Sequence, residues 1–193
     1  MRKIYSKHDE GRKKRRNQWI LGGLLIFIMF SGTIGYAFQS FGGDSGEVTE
    51  VKKTNFNGFE FSEQNGFWIL DFNGENLVFR HNPSQVIGID SYVNPLLNYE
   101  AKPLYVYSED IYAKSEIKTN LFGFVDVIED ACLEGIENCN NPIKTCDDNF
   151  ILIRESETRE IRQENKCVFI SGNGEDLIKL TDEFLYKILG VVQ

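Results

Sequence analysis

A chain of 193 residues with 41% hydrophobic side chains is long enough to bury one ordinary core, and 13% aromatic content excludes a wholly disordered tail. Its net charge of −8 is unevenly placed: residues 1–18 take 8 of the 21 basic and 2 of the 29 acidic side chains, which leaves 13 basic against 27 acidic beyond them. Such an acidic field disfavours nucleic acid and anionic lipid as partners of the larger part and favours solubility.

The basic tail holds Arg2, Lys3, Lys7 and the run Arg12 to Arg16, and it meets an apolar stretch, Trp19 to Phe38, that has no charged side chain. Twenty residues of helix cover about 30 Å, the thickness of a bilayer hydrocarbon core, whereas the apolar region of a secretory leader is usually about 7 to 15 residues. The stretch therefore reads as a transmembrane helix in contact with the lipid bilayer. Cleavage after Ala37 is the competing reading, since Gly35 and Ala37 are small. Lysine and arginine beside a span stay cytoplasmic, so the N-terminus is expected inside and the rest of the chain outside the cell membrane. The basic pentad then reads as lipid contact rather than a nucleic-acid patch. Ser31 and Gly35 offer a small-xxx-small pair through which two spans can approach.

Residues 39–53, QSFGGDSGEVTEVKK, carry glycine and charge without apolar period and read as a flexible linker, leaving 54–193 as one α+β domain. In that domain FEF, Asn65-Gly66, FWILDF, Asn73-Gly74 and ENLVF alternate strands with the dipeptide that best fits a two-residue hairpin turn. A three-stranded antiparallel meander is predicted, with Phe59, Phe61, Phe67, Ile69, Leu77 and Phe79 on one face and Trp68 and Leu70 on the other. Asp71, Asn73 and Glu75 resemble a piece of a calcium loop but lack its terminal glutamate, so the reading is a turn without metal.

Pro83, Pro95 and Pro103 make the following stretch irregular, up to a short strand at Leu104 to Tyr107. From about Asp110 to Cys132 the apolar residues Ile117, Leu121, Phe124, Val125, Ile128 and Cys132 trace one helical face, predicting a long amphipathic helix. IKTC, FILIRE, REIRQ and KCVFISG follow as a second group of short strands, and a C-terminal helix is expected near Glu175 to Leu189.

Four cysteines in an extracytoplasmic domain suggest disulfides. Intervening spacings of six, six and twenty contain no zinc hook, and no histidine lies nearby. Cys146 and Cys167 are expected to pair because IKTC and KCVFIS can lie side by side, and Cys132 with Cys139 because the short loop between them staples the helix end to the next strand.

The chemistry motifs are sparse. His8 lies in the tail and His81 is the only other histidine, which excludes any hydrolase built on two. His81 reads as a strand-end residue. Glu129 with Asp130 and Asp147 with Asp148 are adjacent carboxylates of the kind an acidic composition produces. The SGNG of Ser171 to Gly174 lacks a P-loop lysine and the dinucleotide glycine spacing, so it reads as a strand-to-helix turn. No catalytic, cofactor-binding or metal residue is assigned, and no cofactor is expected.

The tail plus span, the FWILDFNGENLVFRHNPSQV meander, PIKTC, KCVFISG and the closing LIKLTDEFLYKILGV together resemble small single-span membrane-anchored proteins of archaeal genomes, particularly reduced-genome lineages. That group has no assigned activity, so the resemblance implies architecture and no residue roles. The function expected is a binding or assembly module with a protein partner at the cell surface. A membrane-tethered enzyme using carboxylates is the rival. A deep cleft lined by carboxylates of shifted pKa would favour the enzyme, and a continuous exposed apolar patch the interaction module.

Overall fold

The computed structural model describes residues 52–136 and 139–192. The tail 1–18, the span Trp19 to Phe38 and the linker up to residue 51 lie outside them. Among the described residues no helix is long and apolar enough to cross a membrane.

Three Asn-Gly turns, not two, build the meander. Asn57-Gly58, Asn65-Gly66 and Asn73-Gly74 all take positive φ at both positions, as a type I′ turn requires. They join β1 (Lys53–Phe56), β2 (Phe59–Gln64), β3 (Phe67–Phe72) and β4 (Glu75–Phe79) into a four-stranded antiparallel sheet in sequence order. The strand nearest the expected linker was missed because KTNF has little apolar content, yet it pairs fully with β2, Thr54 facing Phe61 and Phe56 facing Phe59.

The predicted faces also need correction. Across a two-residue turn, partners sum to an odd number, so the inward set switches parity at each hairpin: Phe61 faces Leu70, and Leu70 faces Leu77. Phe61, Trp68, Leu70, Leu77 and Phe79 are thus buried together, while Phe67 is 38% exposed on the other face. Trp68 and Leu70 need no separate cover.

The second sheet has five strands, β5 (Pro103–Ser108), β6 (Val127–Asp130), β9 (Asn149–Glu155), β10 (Glu160–Glu164) and β11 (Cys167–Gly172). Their order is β10-β11-β9-β5-β6. β6, β5, β9 and β11 run parallel, and β10 closes one edge antiparallel. β9, NFILIRE, reads as a continuous apolar run because both of its faces are covered.

The predicted twenty-residue helix is a helix and a strand. Helix α1 (Ile111–Leu121) is capped by Asp110, whose carboxylate accepts from the amide of Ala113, and it ends at Phe122 before Gly123. The chain then turns back, and Val127 and Ile128 pair in parallel with Pro103 and Leu104. Strand, helix and strand form a β-α-β crossover. Residues 124, 125 and 128 fit a helical period, but the β-branched pair Val127-Ile128 beside an unfilled edge of β5 decides for strand.

Helix α2 (Gly174–Ile188) and α1 pack on each other and on the second sheet, and the meander covers them from above. Phe61 and Phe79 reach Tyr186 of α2 at ring-centroid distances of 5.7 and 4.5 Å. The main core lies between the sheets, around α2, whose last two turns are buried on every side. Gly172 lets α2 sit close to β11: a Cβ there would meet Leu180 Cδ1 at 2.6 Å, and Leu180 is wholly buried. Gly172→Ala should therefore cost about 1 to 3 kcal/mol in urea unfolding, an overpacking penalty that Ala at an exposed glycine would not incur.

The far face of the five-stranded sheet has its own small core of Ala131, Phe150, Leu152 and Cys167. A two-stranded ribbon, β7 (Cys132–Leu133) with β8 (Ile143–Lys144), and two disulfides lie by it. Cys132 bonds Cys139 with Cα atoms 5.9 Å apart, and Cys146 bonds Cys167 at 5.0 Å. Cys132 starts a strand rather than ending a helix, and Cys146 sits in the turn after β8 rather than on a strand. Two disulfides fit an oxidising, extracytoplasmic setting.

Candidate functional site

The polar residues that matter lie where the amphipathic pattern has no room for them. On α1 the buried stripe runs Ala113, Glu116, Ile117, Asn120 and Leu121, so a carboxylate and an amide occupy core positions. On α2 the stripe of Leu177, Leu180, Phe184, Leu185 and Ile188 faces apolar cover, and the opposite side, with Asp182 and Glu183, is buried as well because a second layer lies over it.

Each of these groups is tied to the chain that leaves β4. Asn120 grips the edge of β4 at Val78, accepting from its amide at 2.7 Å and donating to its carbonyl at 2.8 Å, as a neighbouring strand would. Two residues on, Arg80 donates from Nε to Glu116 at 2.9 Å. Asp182 Oδ2 then takes both the amide of His81 at 3.0 Å and its ring Nδ1 at 2.9 Å, while the Tyr186 hydroxyl donates to the His81 carbonyl. Glu183 accepts from the amides of Gly88 and Ile89. Two helices thereby hold an otherwise irregular segment by its backbone, which satisfies buried groups that no ladder could reach.

Burial dominates the electrostatics. It pushes the Glu116 carboxyl up to about 7, helped by the charge of Asp182 and opposed by the Arg80 guanidinium. Asp182 is raised for the same reason, against the pull of His81, and its second oxygen is buried without a partner among the described residues. Tyr186 is raised by burial and by both carboxylates.

In front of this buried pair of carboxylates lies a solvent-open hollow of about 410 Å³. Arg80 and His81 line it from just past the end of β4, Asn65, Gly66 and Phe67 from the β2–β3 turn, and Glu175 and Ile178 from the first turns of α2. Arg80 is held between rings, 4.8 Å from the centroid of Tyr112 and 5.7 Å from that of Phe67. Neither of its terminal nitrogens has a hydrogen-bond partner among the described residues, nor has His81 Nε2. The hollow thus presents two basic side chains whose inner nitrogens are fixed from behind. A second, smaller hollow of about 260 Å³ runs along β6 beside Phe122, which is 79% exposed.

No protein-family model, curated protein or solved structure matches the chain. The site therefore stands on its own geometry.

His81 is more than a strand-end residue, since it joins β4, α2 and the hollow. The adjacent carboxylates lie elsewhere: burial raises the proton affinity of Asp130, but its pairing with Lys118 at 3.0 Å and with Lys114 lowers it on balance, and Asp147 belongs to the turn at Cys146. Asp71 accepts from the Gly74 amide at 3.0 Å and serves its turn. Ser171 to Gly174 leads from β11 into α2. Among the described residues no group of three His, Cys, Asp or Glu is placed to hold a metal ion. Sequence reasoning missed Arg80, Glu116, Asn120, Asp182 and Glu183. The signal was present for α1, where Glu116 and Asn120 fall on the same stripe as Ala113, Ile117 and Leu121.

Proposed function

We propose that the chain is a single-span membrane protein, N-terminus inside, whose extracytoplasmic α+β domain is a binding module that uses the hollow at Arg80 and His81. The observation that carries this reading is the division of labour between the buried carboxylates and the open basic side chains. A tethered enzyme working through a carboxylate pair needs both carboxylates open to substrate. Glu116 and Asp182 instead lie 7% and 0% exposed behind Arg80 and His81, each occupied in orienting the side chain in front of it. Fixed donors facing solvent suit recognition, because little freedom is lost when a ligand arrives. The uncharged run Trp19 to Phe38, the basic tail and the two disulfides support the topology.

Protease added to intact cells or spheroplasts should remove an epitope joined to Gln193 and spare one joined to Met1. The reverse pattern would put the hollow in the cytoplasm and overturn the localisation.

A further inference from the structure

We infer that the hollow between β4, the β2–β3 turn and α2 binds a carboxylate attached to a small apolar or aromatic body, the carboxylate against Arg80 and His81 and the body against Phe67 and Ile178. The inference rests on the binding-module reading and names its ligand chemistry.

Arg80 supplies the geometry. Its Nε is spent on Glu116 and its plane is steadied by Tyr112 and Phe67, so the two terminal nitrogens form a fork of fixed direction. A planar carboxylate matches such a fork with two parallel hydrogen bonds. His81 adds a second nitrogen, Nε2, which is left over because Nδ1 meets Asp182. The apolar share of the lining comes from Phe67, 38% exposed, and the half-buried Ile178.

Charge narrows the class further. Glu175 lies at the rim and is exposed, which penalises ligands of high negative charge. A phosphate dianion would meet Glu175 and the acidic domain as a whole, whereas a monoanion on an apolar body satisfies the donors and keeps its charge away from the rim. About 410 Å³ accommodates a body the size of one aromatic side chain.

The charged and titratable groups facing Arg80 and His81 are Glu116 and Tyr112 from α1 and Glu175, Asp182 and Tyr186 from α2.

The test is calorimetric titration of the purified full chain in detergent with phenylacetate, phenylacetamide, inorganic phosphate and acetyl-glycyl-phenylalanine, the peptide with free or amidated C-terminus. Phenylacetate should bind and phenylacetamide should not. Ile178→Asp, a change on the half-exposed side of α2 that leaves the buried pairs intact, should weaken binding at least tenfold. Glu175→Gln should strengthen it severalfold. A free-C-terminal peptide that binds at least tenfold more tightly than phenylacetate identifies a polypeptide terminus as the source, and equal affinity identifies a small acid. Phosphate binding tighter than phenylacetate, binding indifferent to both substitutions, or no heat with any carboxylate overturns the inference. None of these results depends on which side of the membrane the domain occupies, so the topology stands or falls separately.

Discussion

Cys167→Ala should lower the unfolding free energy of the domain by about 3 kcal/mol, and Cys139→Ala by about 2 kcal/mol, in the chain-entropy account of loop closure. The difference follows from loop length: the Cys146–Cys167 bridge spans 21 positions and the Cys132–Cys139 bridge 7. The larger loop contains β9 and β10 and closes on β11, so opening it leaves the parallel pairing of β9 with β11 to be held by tertiary contacts alone. Cys167 is also wholly buried against Phe150 and Leu152, and losing its sulfur leaves unfilled space in a small core. For a domain of this size each kcal/mol moves the melting temperature by about 2 to 4 °C, so the two variants should be separable by calorimetry. Non-reducing peptide mapping of the parent should recover the same two linked pairs. Four alkylatable thiols in oxidised protein, or equal losses in both variants, would refute the assignment.

How far the sequence carried depended on whether a signal was local. Asn-Gly turns are local and place the meander, although the polar strand before Asn57-Gly58, KTNF, hides the first of them. Facing within the meander went astray at Phe67, Ile69, Trp68 and Leu70 because alternation was carried through a turn that reverses it. The boundary of α1 was illegible for a different reason. Phe124, Val125 and Ile128 satisfy a helical period, and only the vacant edge of β5, about twenty residues upstream, makes Val127–Asp130 a strand. The candidate site was the least legible, since Asp182 and Glu183 sit on what an isolated amphipathic helix would turn to water. Burial of that side is a property of the meander and the 80–102 segment packed over α2, not of the helix sequence.

The domain should be more stable at pH 5 than at pH 8, and Glu116→Gln should remove much of the difference. Burial lifts the Glu116 carboxyl from 4.5 to about 7, so between those values the native state holds a proton that the unfolded chain has released. Stability is therefore full below about 4.5 and declines as pH rises toward and past 7, by at most about 3 kcal/mol at roughly 1.4 kcal/mol per pH unit. The raised proton affinity of Asp182 acts in the same direction, and the lowered one of Asp130, which is more exposed, in the opposite. Gln at position 116 keeps an oxygen for Arg80 Nε and abolishes the repulsion with Asp182, so the variant should match the parent near pH 5 and exceed it at pH 8. Urea unfolding of both proteins at pH 5, 6, 7 and 8 measures this directly; a parent whose stability rises with pH, or a variant less stable than the parent at pH 8, would contradict it. A carboxylate that weakens the fold at neutral pH calls for a reason beyond stability. Among the described residues its ion-pair partner is Arg80, which without a fixed acceptor behind it would be free to swing out of the hollow. The same substitution that strengthens the fold should therefore loosen the grip on a carboxylate ligand, because a neutral amide holds a guanidinium more weakly than a carboxylate does.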